Sequence, residues 1–386
     1  MIEGRTILCF ASGYEAPPTS KHHVMHLLAE RNRVLWVNYH ASRAPSATSS
    51  DLAYIWRKLG QVFRGLTNPR ENLWVLTPLV LPLPGSTLAR RVNRWMLVRS
   101  VRRALRRIQE GPLQIWTFAP DVAYLLADFR AETVLYYCVD DFASFSGYDH
   151  EQVSRNEEEL CRKADLVVAC SGALEQNRKS WNPSMVLVRH GVEYGHFARA
   201  LSDGLTEPED LRGIPHPRLG FFGLIRDWVD VNLLAQVARL RPEWHIVLIG
   251  NSTVDLSPYR GLANMHFLGA RPYEQLPAYC KGFDVGLVPF VINDLTRAAL
   301  PIKLREYLAA GLPVVSTPLP ELASLADLVL SAADAQQTVT AVEAALRTNP
   351  ERRRQLSLAM SQETWDCKLA QIERALSAVA DGSVAT

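Results

Sequence analysis

At 386 residues the chain is too long for one ordinary domain and fits two of about 150–200 residues. With 48% apolar and 21% charged residues it is an ordinary globular protein with ample core, not a disordered or fibrous chain. Net charge is only +2, yet Leu52 to Arg107 holds twelve Lys and Arg against one acid, Glu71, which leaves about −9 for the remainder. Such a block implies an anionic surface as partner.

The N-terminal run TILCFAS has no basic region and no cleavage-like site, so it is expected to be a first strand rather than a signal peptide. No apolar stretch reaches an uninterrupted 18 residues, and the nearest, Asn72 to Ala89, is broken by Pro78, Pro82 and Pro84. The six cysteines form no C-x-x-C pair, and several sit in apolar runs. They read as free thiols in a reducing compartment, expected to be the cytoplasm.

Strands are expected at Thr6–Ala11, Arg33–Asn38, Gln114–Phe118, Thr133–Val139, Leu166–Cys170 and Met185–His190. Helices are expected at His22–Glu30, Leu88–Ile108 and Glu151–Lys163, with loops at Ala41–Ser50 and Pro82–Ser86. A second series of strands follows at Arg218–Gly223, His245–Gly250, Met265–Leu268, Phe283–Pro289 and Pro313–Thr317. This alternation predicts an α/β protein with two Rossmann-like domains of parallel strands, 1–198 and 218–360. Residues 199–217, rich in Asp, Glu, Pro and Gly, read as the linker.

The most informative stretch is 283–317, FDVGLVPFVINDLTRAALPIKLREYLAAGLPVVST. It reads as buried strand, polar loop, short helix and buried strand, with Pro301 opening the helix and Gly311 closing it. Lys303 and Glu306, three apart, share one helical face. A helix N-terminus with a nearby Lys suits a phosphate, and a carboxylate one turn deeper suits a ribose diol, at the strand edge where open α/β sheets bind ligands. The site therefore fits a nucleoside diphosphate; a surface ion pair is the competing reading.

The string P-x-K-x-x-E-Y-L-A-A-G-x-P-V-V-S-T resembles the donor-site segment of GT-B glycosyltransferases of the family 4 type, more narrowly the bacterial exopolysaccharide and teichuronic-acid transferases. PYEQLPAYCKGFDVGLVPF, VRHGVEYGHF and GFFGLIRDWVD resemble other family segments in the right order, so the resemblance covers roughly 150–350. It implies two domains facing across a cleft, with acceptor bound by the N-terminal one and nucleotide sugar by the C-terminal one. It also implies a last helix, within 361–386, that crosses back. The expected reaction is sugar transfer from a nucleotide-diphosphate sugar, a UDP-sugar, to a lipid-linked or oligosaccharide acceptor at the inner face of the cell membrane. No metal and no cofactor are expected beyond the nucleotide sugar as co-substrate, and no nucleic acid.

In that reading Lys303 holds a donor phosphate and Glu306 the ribose. Ala298 stands where the family carries a first glutamate, so sugar contacts fall to Asn293, Asp294, Thr296 and Arg297. Arg226 is the candidate for the diphosphate, and Gly223 admits the backbone to the ligand. Asn251, Gly269 and Arg271 end strands at the same edge and suit base or ribose, or are ordinary βα turns. Asp140 and Asp141 end the strand LYYCVDD; one is the candidate general base, with Asp140 favoured, and loop carboxylates are the alternative. His22, His23 and His190 are candidate acceptor contacts rather than metal ligands. The helix LARRVNRWMLVRSVRRALRRI turns Leu97, Val101, Ala104, Leu105 and Ile108 to one side. Its other side presents Arg99, Arg102, Arg103 and Arg106, with Trp95 and Trp56 as anchors for an anionic membrane. Rival readings are a UDP-sugar epimerase or phosphorylase of the same architecture, a two-lobed ligand-binding protein, and a catalytically degenerate scaffold.

Overall fold

The structure is a computed structural model that describes residues 2–39, 64–79 and 87–382. Trp56, the loop Ala41–Ser50 and the loop Pro82–Ser86 lie outside the described residues. The described residues form two units, one running to Arg189 and resuming from Leu369, the other His190–Lys368.

The first unit is built on eight strands: β1 (Thr6–Ala11), β2 (Arg33–Asn38), β3 (Leu66–Arg70), β4 (Leu73–Leu76), β5 (Leu113–Thr117), β6 (Thr133–Cys138), β7 (Leu166–Ala169) and β8 (Met185–Leu187). Their order is β3-β4-β2-β1-β5-β6-β7-β8, all parallel except the β3–β4 pair. β1, β5 and β7 are buried along their whole length, so both faces are covered by helices, as continuous apolar runs require. The second unit has six parallel strands: β9 (Arg218–Phe222), β10 (His245–Ile249), β11 (Met265–Gly269), β12 (Val285–Val288), β13 (Val314–Ser316) and β14 (Val329–Ser331). Their order is β11-β10-β9-β12-β13-β14. Strand order reverses between β1 and β5 in one sheet and between β9 and β12 in the other, and at such points open α/β sheets leave a crevice at the carboxyl ends.

The helices used below are α1 (Ser20–Ala29), α2 (Thr87–Ile108), α3 (His150–Lys163), α4 (Gly172–Arg178), α5 (Ile302–Ala309) and α6 (Trp365–Ala380). On α2 the five predicted apolar residues are buried, with Arg99, Arg102, Arg103 and Arg106 exposed. Trp95 is 64% exposed on the same outer side, 5.8 Å from the Arg99 guanidinium. α6 begins in the second unit and continues in the first. None of the described helices is long and apolar enough to cross a membrane.

Residues 199–217 are not a free linker. Leu211 is fully buried and Ile214 nearly so, in the core of the second unit, and Glu207 pairs with the buried Arg218. The polar composition of that segment had masked two apolar anchors. The division between units falls instead at Arg189/His190.

Candidate active site

The second unit brings Lys303 and Glu306 to its switch point through a set of packing constraints on α5. Pro301 is the N-cap rather than the first helical residue. The helix ends in a Schellman arrangement, with Gly311 at φ +75 and the Leu312 amide donating to the Tyr307 carbonyl at 2.9 Å. Tyr307 is fully buried, and its hydroxyl accepts from the Phe222 amide at 2.9 Å. Gly286 makes room for that ring, since a Cβ there would stand 2.7 Å from it. α5 is thereby fixed on β9 and β12.

Beyond β9 the chain turns at Gly223, whose φ of +131 few side chains tolerate, and a Cβ there would meet Lys303 Cε and Nζ at 3.0 Å. The Lys303 ammonium stands 4.7 Å from the Phe221 ring centroid and 4.9 Å from that of Phe290. Burial pulls its pKa down to about 8, against the opposing effect of Glu306. Glu306 is 7% exposed. Burial pushes its pKa up to about 8; Lys303 opposes the rise and Glu193 adds to it. The Tyr273 phenol faces both carboxylates and is held well above the ordinary phenol range, by burial first. His196 stacks on Tyr273 at 4.9 Å and fixes it. Glu193 and Tyr273 were not singled out from the sequence; Glu193 stood in the VRHGVEYGHF string, where a further acid was legible.

The other predicted donor residues separate into two groups. Gly250, at φ +148, lies so close to Gly223 that a Cβ would be 1.9 Å from the Gly223 carbonyl oxygen. Asn251 and Gly269 are exposed at that same edge, and the Asn251 carbonyl accepts from the Ile225 amide. Arg226 is half-buried, its guanidinium 4.7 Å above the Trp228 ring and its Nε 4.0 Å from Asp227. By contrast, Arg271 is engaged: Nη2 donates to Asp210 at 2.7 Å and Nε to the Tyr279 hydroxyl at 2.8 Å. Asn293 and Thr296 close a capping box on the short helix Asp294–Arg297, and the Thr296 hydroxyl also donates to the Val291 carbonyl at 2.5 Å. Asp294 and Arg297 are the exposed polar residues of that helix, and Ala298 is 5% exposed at its C-cap. A surface groove lined by Glu207, Glu209, Asp210 and Tyr279 includes none of the site residues, and its acids do not suit a diphosphate.

In the first unit, Asp140 and Asp141 follow β6. Asp141 is engaged on both oxygens: Oδ1 accepts from Arg178 Nη2 at 2.7 Å and Oδ2 from the Ser144 hydroxyl at 2.6 Å. Arg178 is itself bidentate on the fully buried Glu157, at 2.7 and 2.9 Å, and Tyr136 donates to Glu157 at 2.7 Å. This network, drawn from α3, α4 and β6, locks the loop that presents Asp140. Asp140 is half-buried, and burial pushes its pKa up to about 7; Lys21 opposes the rise and Asp141 adds to it. His22 serves α1 itself: Nδ1 accepts from the Thr19 amide at 3.1 Å and Nε2 faces the Tyr14 carbonyl at 3.0 Å. Burial drives its pKa to about 3. His23 is buried beside it. His190 belongs to the second unit, 5% exposed, 6.1 Å from the Trp365 ring, and uncharged because burial and then Arg305 drive its pKa to about 3.

Residues 216–348 match the family described as glycosyl transferases group 1. The chain has the GT-B fold: it superposes on sucrose-phosphate synthase from Thermosynechococcus elongatus with a TM-score of 0.70 at 14% identity, covering 98% of this chain and 100% of that one. HepE of Anabaena, in a structure titled as a complex with UDP-glucose, matches with a TM-score of 0.65 at 16% identity over 97% of this chain and 100% of that one. In sequence, the chain is 27% identical over 222 residues to TuaH of Bacillus subtilis (strain 168), named as a teichuronic acid biosynthesis glycosyltransferase. That alignment spans 53% of this chain and 55% of the relative.

Proposed function

We propose that the protein transfers a sugar from a UDP-sugar to a saccharide acceptor, lipid-linked, in cell-surface or exopolysaccharide synthesis. The observation that carries this reading is the Lys303 ammonium at the switch point, against Gly223, with the buried Glu306 carboxylate three residues further along the same helix face. Lys303 and Arg226 hold the diphosphate and meet the charge that grows on it as the glycosidic bond breaks. Glu306 accepts from the ribose hydroxyls, and Asn251 and Gly269 flank the base. Asp294 and Arg297 face the donor sugar, in place of the glutamate absent at Ala298. The nucleotide sugar is a co-substrate, and the reaction needs no metal. Asp140 takes the proton of the acceptor hydroxyl. The arginines of α2, with Trp95, rest on anionic lipid at the inner membrane face, where a lipid-linked acceptor lies. HepE's bound UDP-glucose supports the choice of base, and TuaH's name supports the class of product.

Thermal-shift titration with UDP, GDP and ADP tests the donor site. A nucleotide at one hundred times its Kd adds about 2.7 kcal/mol of apparent stability. For a unit of this size that is a rise of roughly 5–10 °C. UDP is expected to give it in wild type and not in Lys303→Ala or Glu306→Ala. No response to any nucleotide at millimolar concentration would refute the reading in favour of a degenerate scaffold.

A further inference from the structure

Beyond β9 the chain runs as a strap whose backbone is tied on both sides. The Ile225 amide donates to the Asn251 carbonyl at 2.9 Å and the Thr253 amide to the Ile225 carbonyl at 2.9 Å, which joins one side to the segment after β10. The Asp230 amide donates to the Pro289 carbonyl at 2.7 Å and the Val291 amide to the Trp228 carbonyl at 2.9 Å, which joins the other side to the segment after β12. Asp230 then caps the helix Val231–Leu240, its carboxylate accepting from the Leu233 amide at 2.8 Å. The backbone of Arg226 and Trp228 is therefore fixed at the switch point of the second unit. Trp228 is half-buried and packs against the core of that unit. The guanidinium carbon of Arg226 lies 4.7 Å from the centroid of the Trp228 ring. Arg226 makes no hydrogen bond among the described residues: its Nε is buried without a partner, and Asp227, at 4.0 Å, is beyond hydrogen-bond reach. Arg271, after β11, is the opposite case, with its donors taken by Asp210 and the Tyr279 hydroxyl.

We propose that Trp228 is a positioning residue for Arg226: the face of its ring holds the guanidinium in place with the N–H donors uncommitted, so that the diphosphate meets a cation already ordered. The inference rests on the function proposed above, in which Arg226 holds the diphosphate. A free arginine side chain loses rotamer freedom when it closes on a ligand, and one that is stacked beforehand loses less. A carboxylate would also order the guanidinium, but it would occupy the N–H edge that phosphate oxygens need. A ring orders it through the flat face and leaves that edge open.

The test is a double-mutant cycle on UDP affinity, measured by titration calorimetry on the full chain. Trp228→Leu is expected to weaken UDP about fivefold, and Trp228→Phe, which keeps a ring face, to restore most of the loss. Arg226→Met is expected to weaken UDP by about tenfold or more, and adding Trp228→Leu to it to cost nothing further. A fivefold loss from Trp228→Leu that persists in the Arg226→Met background overturns the proposal, since the ring would then act on the ligand or the fold and not through Arg226. UDP affinity left unchanged by Trp228→Leu overturns the proposal alone. Wild type that does not bind UDP overturns the function on which it rests, and the proposal with it. Nitrogen NMR of wild type labelled at arginine reads the stacking even where Trp228→Leu does not fold. The Arg226 Nε–H signal, identified by its loss in Arg226→Met, is expected to carry the upfield shift of a proton over a ring and to move when UDP is added. An Arg226 signal at the position of an ordinary solvated arginine overturns the proposal.

Discussion

Glu306→Gln separates stability from nucleotide binding, because the same burial that equips Glu306 to receive a ligand makes its charge costly without one. The folded carboxyl titrates at about 8 against an ordinary 4.5. The native state therefore binds this proton more tightly than the unfolded chain, and the resulting stability is full below pH 4.5 and lost as pH rises through 8. At 1.36 kcal/mol per pH unit the whole span sets a ceiling of about 5 kcal/mol. Lys303, lowered from 10.5 to about 8, contributes stability that is present above pH 10.5 and lost as pH falls through 8, so the two effects meet in a minimum near pH 8. Glutamine keeps the shape and removes the titration. Calorimetry from pH 5.5 to 8 is expected to show the wild-type melting temperature falling relative to the variant by about 3 kcal/mol of stability, roughly 6–12 °C. Groups away from the site titrate alike in the two proteins, so the difference reads Glu306 together with its coupling to Lys303 and Tyr273. The variant is also expected to lose the rise given by UDP, the usual exchange of stability for function. Parallel melting curves with a constant offset across this range would refute the reasoning, since they would mean that burial does not set the charge of Glu306.

Three further outcomes are expected. Gly250→Ala puts a Cβ 1.9 Å from the Gly223 carbonyl oxygen at a φ of +148, and should cost about 2 kcal/mol or more in urea unfolding and weaken UDP binding as Gly223 shifts against Lys303. Glu157→Gln leaves the buried Arg178 without its bidentate partner and should cost about 3–5 kcal/mol, read in the same unfolding experiment. Reversing Arg99, Arg102, Arg103 and Arg106 to Glu should abolish sedimentation with anionic vesicles while leaving the UDP thermal shift intact; each Arg near an anionic surface contributes about 1 kcal/mol. Wild type that ignores anionic vesicles would sink that part of the proposal.

What the sequence revealed depended on whether the deciding partners were local. Strands such as Arg33–Asn38 were legible because a fully covered parallel strand is a short continuous apolar run. The hairpin of β3 and β4 was not, because LTNPR carries a proline that only an edge strand tolerates, and the turn rests on Asn72 at φ 56. Lys303 and Glu306 stood out through i,i+3 spacing between helix signals. Glu193 and Tyr273, which complete the surroundings of Glu306, are brought there only by the tertiary fold. The same distinction decides which polar residues remain open to a ligand. Arg271 is engaged by Asp210, 61 positions away, and no local pattern announces that partner. Asn293 and Thr296 are engaged by each other, three apart, a capping box that the sequence does display. A polar side chain in a loop is open to a ligand only after the backbone's own demand for caps has been met. By that criterion the loop after β12 offers Asp294 and Arg297 rather than Asn293 and Thr296. Ala298, buried at the C-cap, marks where a carboxylate would have to displace packed neighbours before it reached a sugar.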